Sequence, residues 1–465
     1  MIHIAASELA RVLGAKLIGK GDVQVTGSVE TDSRLVGAGS LFIAKPGEQA
    51  DGHDFVSDAK QNGAVLAIVQ RPVDIEIDQL VVGDSVEALG QLAAWLIKTL
   101  KSKGKLKVIG ITGSNGKTTT KNMLRGILSQ LGNTIAPIES FNNKVGAPIS
   151  ILRADLETEY LVVEMGAEGL GSIAYLAKMA SCDIGLILKV GMAHAGEFGG
   201  IENTALIKGE LAEAMDADGH LVLNADDGMV SAMSQRTKAK VHYFGTGSDA
   251  EFSATEIALT KSGTSFDLKW PEGDSSKVKL RILGEHHVMN ALAAATVSTL
   301  LGATKSQIVG ALEAMELAER WRMQRLVRPD GVTIINDAYN ASPDSMKAAL
   351  QTLAQLGKMG SKTIAVLGEM AELGEYSIHE HDAIGRLVVR YNIDQLVVVG
   401  AGAKLIHMGA SQEGSWDGES QFFLSIAEAL DYLRGILADG DTVLVKSSKS
   451  ANLRFLGDDL MELSQ

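Results

Sequence analysis

The chain has a single cysteine, Cys182, in 465 residues. One thiol can neither close an internal disulfide nor build a thiolate metal cage, so a reducing compartment fits best. Proline is scarce, with 7 residues against 50 glycines; that balance suits tight strand-to-helix turns. No stretch offers the roughly 18 unbroken apolar residues of a membrane span. The opening MIHIAASELARVLG lacks a basic segment followed by a long apolar run, so no secretory leader is expected. Positive charge is short as well: 43 Lys and Arg against 57 Asp and Glu leave a net charge of −14. This argues against a general nucleic-acid binder or a polybasic membrane surface, which both need cationic patches. Repeats of about 20 to 50 residues and low-complexity tracts are missing too. A cytoplasmic protein with no nucleic-acid partner and no transmembrane segment is expected.

What remains is an ordinary packed composition, 46% hydrophobic and 22% charged. At roughly 150 residues per domain, the length predicts about three domains. Short apolar runs alternate with helical patterns, which predicts an α/β protein with mainly parallel sheets. Residues 1–84 carry strand-like runs at Leu41–Ala44, Ala64–Val69 and Leu80–Gly83. Residues 85–317 open with a helix whose Leu89, Leu92, Ala93, Leu96 and Leu100 share one face. Lys101–Lys107 reads as a solvated connector before a new α/β unit at Val108. A helical pattern runs up to about Arg320, and residues 318–465 form a third unit. Its strands are expected at Val332–Asn336, Thr363–Gly368, Leu396–Gly400 and Thr442–Lys446.

The sharpest motif is VIGITGSNGKTTTKNMLRGIL. Val108–Ile111 reads as a buried strand, and Gly113, Ser114, Asn115 and Gly116 as a loop whose small residues let backbone N–H groups approach phosphate oxygens. Lys117 supplies a point charge to the phosphates and the Thr118 hydroxyl suits Mg²⁺. Met123, Leu124, Ile127, Leu128 and Leu131 then repeat at helical spacing. Ile111 stands where the commonest phosphate-loop pattern has glycine, so the motif is TGxxGKT.

Ligands of a parallel sheet collect beyond the carboxyl ends of its strands. Glu164, at the end of TEYLVVE, would lie beside the phosphate loop, either holding Mg²⁺ or serving as a strand-end cap. His194, in the loop after CDIGLILKV, falls on the same edge and could be a ligand or structural. Lys208 lies on a helix with Leu211, Ala214 and Met215 as its expected core face, and by spacing alone it reads as a solvated lysine. His286, His287 and Asn290 begin another helix, where they could meet a purine or cap. Asp337 ends a strand of the third unit, and Ser342 and Asp344 read as helix caps.

TGSNGKTTTK, EMGAEGLGSI, AHAGEFGG, KGEL, GEHHVMNALAA and DAYNASPDSM occur in one order along the chain. In that order they resemble the Mur ligases, over essentially the full length. TDSRLVGAGSLFIAKPGEQADGHDF is similar to the family's UDP-sugar segment, and VLGEMAELG (Val366–Gly374) resembles the member that adds D-alanyl-D-alanine. The Asp-Asn-Pro-Arg motif of the sister enzyme that adds a diamino acid is absent. The resemblance implies a small N-terminal α/β domain, a central P-loop domain and a Rossmann-like third domain that closes over ATP. It implies an ATP-dependent amide ligase with UDP-N-acetylmuramoyl-tripeptide and D-alanyl-D-alanine as partners, acting as a monomer through an acyl phosphate.

The same resemblance carries residue roles. Gly113, Ser114, Asn115, Gly116, Lys117, Thr118 and Thr119 would hold ATP, together with Asn290, Arg322 and Asp337. Lys117, Glu164, His194 and Lys208 would be catalytic. Thr118, Glu164, His194 and a carbamylated Lys208 would hold two Mg²⁺ ions. Ser33, Arg34, Asp51, Gly52, His53, Asn142 and Asn143 would meet the UDP substrate. Three departures stand out: His287 in place of asparagine, Trp321 in place of glycine, and KSSKSANLRF (Lys446–Phe455) in place of a KGSRSM-like ending. A ligase taking a different amine, a nucleotide switch and a small-molecule kinase are the rival readings. The switch is weakened because Asn143-Lys144-Val145-Gly146 lacks the aspartate of a guanine-reading NKxD element. The kinase leaves the UDP-sugar-like segment unexplained.

Overall fold

The computed structural model describes residues 3–47, 50–137, 141–316, 320–414 and 419–462. In the first unit five strands lie in the order Lys16–Ile18, Asp78–Val81, Ala64–Val69, Ser40–Ile43, Val29–Glu30. All pairings are parallel except that of the Lys16–Ile18 edge strand. The helix Ser85–Lys103 follows, started by Asp84, whose carboxylate accepts the Val86 and Glu87 amides. Its Leu89, Leu92, Ala93, Leu96 and Leu100 are all buried. They pack in one continuous apolar cluster with Leu9, Leu41 and Leu66 of the first unit and Val108, Leu161 and Leu176 of the second.

The expected connector at Lys101–Lys107 is corrected. The helix runs on to Lys103, and Lys107 already opens the next strand. Lys101 is also tied down rather than solvated, with Nζ 2.9 Å from Asp183 and donating to the Ser181 carbonyl at 2.6 Å.

Nine strands among the described residues make the central sheet. Their order is Ser275–Leu280, Gly263–Lys269, Phe252–Thr260, Lys240–Gly245, His220–Asn224, Ile184–Ile187, Lys107–Thr112, Tyr160–Glu164, Thr134–Ile135. It is parallel up to Phe252–Thr260 and ends in two antiparallel pairings. The inner strands are apolar on both faces because both faces are covered. Met123, Leu124, Ile127 and Leu128 of the helix Lys117–Leu128 pack on one side with the helix His286–Leu300. Ser172–Ala180 and Ile201–Glu213 cover the other, together with Ser85–Lys103.

The third sheet runs Gln324–Val327, Thr333–Asn336, Thr442–Lys446, Thr363–Leu367, Gln395–Val399, Ser420–Phe423, parallel but for its first pair. Helices Pro343–Gly357 and Ser377–Arg390 cover one face, and Ile426–Ile436 and Leu453–Glu462 the other. The three-part α/β architecture is therefore as the sequence implied. The helix before this unit stops at Ala314, short of the expected Arg320. The proposed boundary at 317/318 lies outside the described residues. No helix among the described residues is long and apolar enough to cross a membrane.

Candidate active site

The strand Lys107–Thr112 delivers the chain to the loop at Gly113–Gly116, and the helix Lys117–Leu128 leaves it with its N-terminus, the end that favours an anion, turned to the loop. Gly116 has φ +86°, and a Cβ there would stand 2.4 Å from Asn290 Oδ1, so only glycine fits. Lys117 Nζ folds back and donates to the Gly113 carbonyl at 2.6 Å. Burial lowers its ammonium below the usual lysine range, with Glu164 opposing the shift and Arg322 adding to it.

Glu164 ends the strand beside Lys107–Thr112, in register with Ile111. Its side chain is buried, accepting from Thr118 Oγ1 at 3.2 Å and from Asn142 Nδ2 at 2.9 Å. Among the described residues no Lys, Arg or His nitrogen forms an ion pair with it. Its hydrogen-bond donors among the described residues are neutral, and the Lys117 ammonium is near enough to act on it. With the Thr118 hydroxyl adjacent, this all-oxygen pair fits Mg²⁺.

His194 stands in left-handed conformation, φ +61°, ahead of the short helix Ala195–Phe198. Its Nδ1 lies 2.6 Å from Glu372 Oε2 and 3.6 Å from Glu197 Oε2. Burial lowers its pKa, and Lys117 and Lys208 lower it further. The solvated reading of Lys208 is overturned: the side chain is 2% exposed. Thr204, Lys208 and Leu211 share the inward face of the helix Ile201–Glu213, whereas Ala214 follows its last turn and is exposed. Burial, then Lys117, push the Lys208 amine well below the usual range. Both causes disfavour the charged form of this buried amine.

A cavity of about 290 Å³ joins these groups to the third unit. On its far side Asn290 Nδ2 donates to His287 Nδ1 at 3.3 Å, while His287 Nε2 is buried without a partner among the described residues. Burial holds His286 down to about 4, with Asp337 opposing. Asp337 accepts the Met323 amide at 2.9 Å and pairs with the buried Lys446 ammonium at 2.5 Å. The Arg322 guanidinium stacks 4.1 Å from the centroid of Tyr339. Ser342 is the expected cap of Pro343–Gly357, in a capping box with Ser345, and its hydroxyl also donates to Asn115 Oδ1 at 3.4 Å. The capping reading of Asp344 is corrected. Its carboxylate leaves its own helix, accepting from Lys189 Nζ at 2.9 Å and from the Met192 amide at 3.0 Å.

Family profiles cover most of this arrangement. One described as Mur ligase family, catalytic domain, matches residues 26–94; the Mur ligase middle domain matches 111–298; and the Mur ligase, glutamate ligase domain, matches 321–449. The chain belongs to the Mur ligase family. It is 41% identical to the UDP-N-acetylmuramoyl-tripeptide–D-alanyl-D-alanine ligase of Mycobacterium tuberculosis, over 99% of this chain and 98% of the relative. A crystal structure of MurF from Acinetobacter baumannii superposes with a TM-score of 0.90 at 34% identity, covering 99% of both chains. MurF from Thermotoga maritima, in complex with ADP, superposes with a TM-score of 0.82 at 27% identity, covering 94% of this chain and 97% of that one.

Within this Mur ligase, Ser114 through Thr119, Asn142, Glu164, His194, Asn290, Arg322 and Asp337 come together around the cavity. The residues assigned to the UDP substrate do not join them, apart from Asn142. Asn143 instead accepts its own downstream amides, at Val145 and Gly146. Ser33 is buried, and exposed Arg34 pairs with Asp32. The Gly52 amide donates to the Lys45 carbonyl. Asp51 accepts from the buried His53 and from Arg71, and the His53 amide and ring hold its carboxyl below the usual range. Trp321, with φ +64°, is pinned by an Nε1 donation to Asp458 at 2.9 Å. Sequence reading missed Lys189, Glu372 and Lys446. Lys189 and Lys446 had a usable signal, since each stands at the carboxyl end of a parallel strand, and Glu372 lies within the quoted VLGEMAELG.

Proposed function

We propose that this chain is an ATP-dependent ligase of peptidoglycan precursor synthesis. It joins D-alanyl-D-alanine to the terminal carboxylate of UDP-N-acetylmuramoyl-tripeptide. The observation that carries this reading is full-length similarity to ligases of that name, combined with one cavity lined by a phosphate loop, a buried carboxylate and a third unit docked against both. The carboxylate attacks the γ-phosphorus, ADP leaves, and the dipeptide amine then adds to the acyl phosphate. The tetrahedral intermediate expels phosphate and leaves the amide. Two anions must meet in the first step, so Lys117 and the amides after Gly116 neutralise the transferred phosphoryl group. Mg²⁺, held by Thr118, Glu164 and His194, would supply further charge neutralisation.

Residues 1–84 are assigned to the UDP substrate, 85–317 to ATP, and 318–465 to closure over nucleotide and dipeptide. We assign Lys208 to carbamylation. Burial and the neighbouring charge of Lys117 both disfavour the ammonium form, the neutral amine is the form that adds to CO₂, and the product would be an anion able to hold a second Mg²⁺. Lys208→Ala is expected to lose at least about a hundredfold in turnover, with partial recovery by short carboxylates. Unchanged turnover removes Lys208 from the site.

The deciding experiment measures phosphate release from ATP with the UDP-tripeptide, with and without D-alanyl-D-alanine, and identifies the product by mass. Release that needs both substrates and yields the pentapeptide is the expected result. Release with another amine but not the dipeptide would move the chain to a sister ligase. Release with neither substrate would make it a nucleotide switch.

A further inference from the structure

Two non-glycine residues in left-handed conformation meet across the boundary between the second and third units. His194 has φ +61° and Glu372 has φ +65°, and their side chains touch at 2.6 Å between Nδ1 and Oε2. Such conformations persist where surrounding structure over-determines them, and they cluster at functional sites. The approach is close: a Cβ on Gly196 would fall 2.3 Å from the Leu373 carbonyl carbon and 2.4 Å from the Gly374 nitrogen. The same segment is gripped at its other end, where Asp344 takes Lys189 Nζ and the Met192 amide. His194 therefore sits in a stretch, Lys189–Gly196, that the third unit holds at both ends.

An imidazole whose Nδ1 is held 2.6 Å from a carboxylate is restricted in ring rotation, and its other nitrogen is left to meet a ligand. Nε2 of His194 has no hydrogen-bond partner among the described residues, and the ring lines the phosphate cavity. We propose that Glu372 is a positioning residue for the metal edge of the site: it arrives with the third unit, takes Nδ1 of His194 and leaves Nε2 to coordinate. The proposal rests on the ligase reading above for the identity of the metal and its nucleotide. It ties completion of the metal site to docking of the third unit, so ATP is not activated while the cavity stands open to water.

The test compares the full-length protein with Glu372→Ala, Glu372→Gln and His194→Ala. Mn²⁺ affinity in the presence of ADP is read by calorimetry or by electron paramagnetic resonance. The Mg²⁺ dependence of product formation is read beside the KM for the UDP-tripeptide. Glu372→Ala is expected to weaken Mn²⁺ binding by about 10- to 100-fold, the usual cost of losing such a partner. The Mg²⁺ requirement should rise in parallel, with the KM for the UDP-tripeptide within about twofold of wild type. Glu372→Gln, which keeps the shape of the contact without its charge, should fall between. In a His194→Ala background, Glu372→Ala should add nothing. Wild-type Mn²⁺ affinity in Glu372→Ala overturns the proposal even if turnover falls, because the contact would then only hold the units together. Failure of the wild-type protein to make the pentapeptide would sink the ligase reading alone, since the Mn²⁺ measurement stands without it.

Discussion

The two boundaries in this chain are built from different materials. Between the first and second units, the helix Ser85–Lys103 buries leucines into a core that continues from Leu9 and Leu41 to Leu161 and Leu176. Between the second and third, the contacts that reach the cavity are polar and partly exposed. They are Lys189 with Asp344, His194 with Glu372, and Ser342 with Asn115. A continuous apolar core fixes geometry, because opening it exposes every leucine in the seam to water. Ion pairs with water at their edges are worth little individually and re-form readily. The first boundary is thus a weld, whereas at the second Leu283 joins the apolar cluster of the third unit and the contacts on the cavity side are polar.

The sharpest way to break this contrast is Lys117→Ala. Phosphate release should fall by about a thousandfold or more, while calorimetry finds UDP-substrate binding within about twofold of wild type. Loss of that binding would mean the two sites are not separable. Leu96→Ala tests the weld itself, and should cost about 2–5 kcal/mol of stability, the range for a buried leucine truncation. Because the core is shared, the first and second units should still unfold in one transition by calorimetry. Two resolved transitions would overturn the idea of a single core. Asp344→Ala tests the polar contact. It should lower kcat/KM for ATP by about tenfold while stability stays within about 1 kcal/mol of wild type. Gln355→Ala removes an exposed contact with Glu285 and should change neither quantity measurably.

Much of the site was legible because its parts are local. A strand, a glycine-rich loop and a helix in succession specify a phosphate cradle, and the carboxyl-edge rule placed Glu164 next to it from strand order alone. Lys208 was misread although its spacing was informative: Thr204, Lys208 and Leu211 recur at helical intervals. A lysine in such a series is counted as solvent-facing unless something outside the helix supplies a reason to bury it. Asp344 and Ser342 look alike as helix starters, yet only Ser342 caps. What separates them is a lysine 155 residues away in the chain. Glu372 stood inside the quoted VLGEMAELG, yet was given no role for the same reason. Sequence pattern reports which face of an element is wet, and it says nothing about which polar group on that face will meet another unit.

The phosphate cavity gathers Lys117, Lys189 and Lys446 inside a molecule whose net charge is −14. A polyanionic nucleotide arriving from solution meets the field of the whole protein first and that of the lysines only within about a Debye length, ~8 Å at physiological salt. Its approach is uphill until the last few ångströms, so collision is slowed where retention is strong. Moderate salt screens the outer repulsion more than the inner attraction, and the association rate should rise with ionic strength, opposite to the usual sign for a nucleotide and its binding loop.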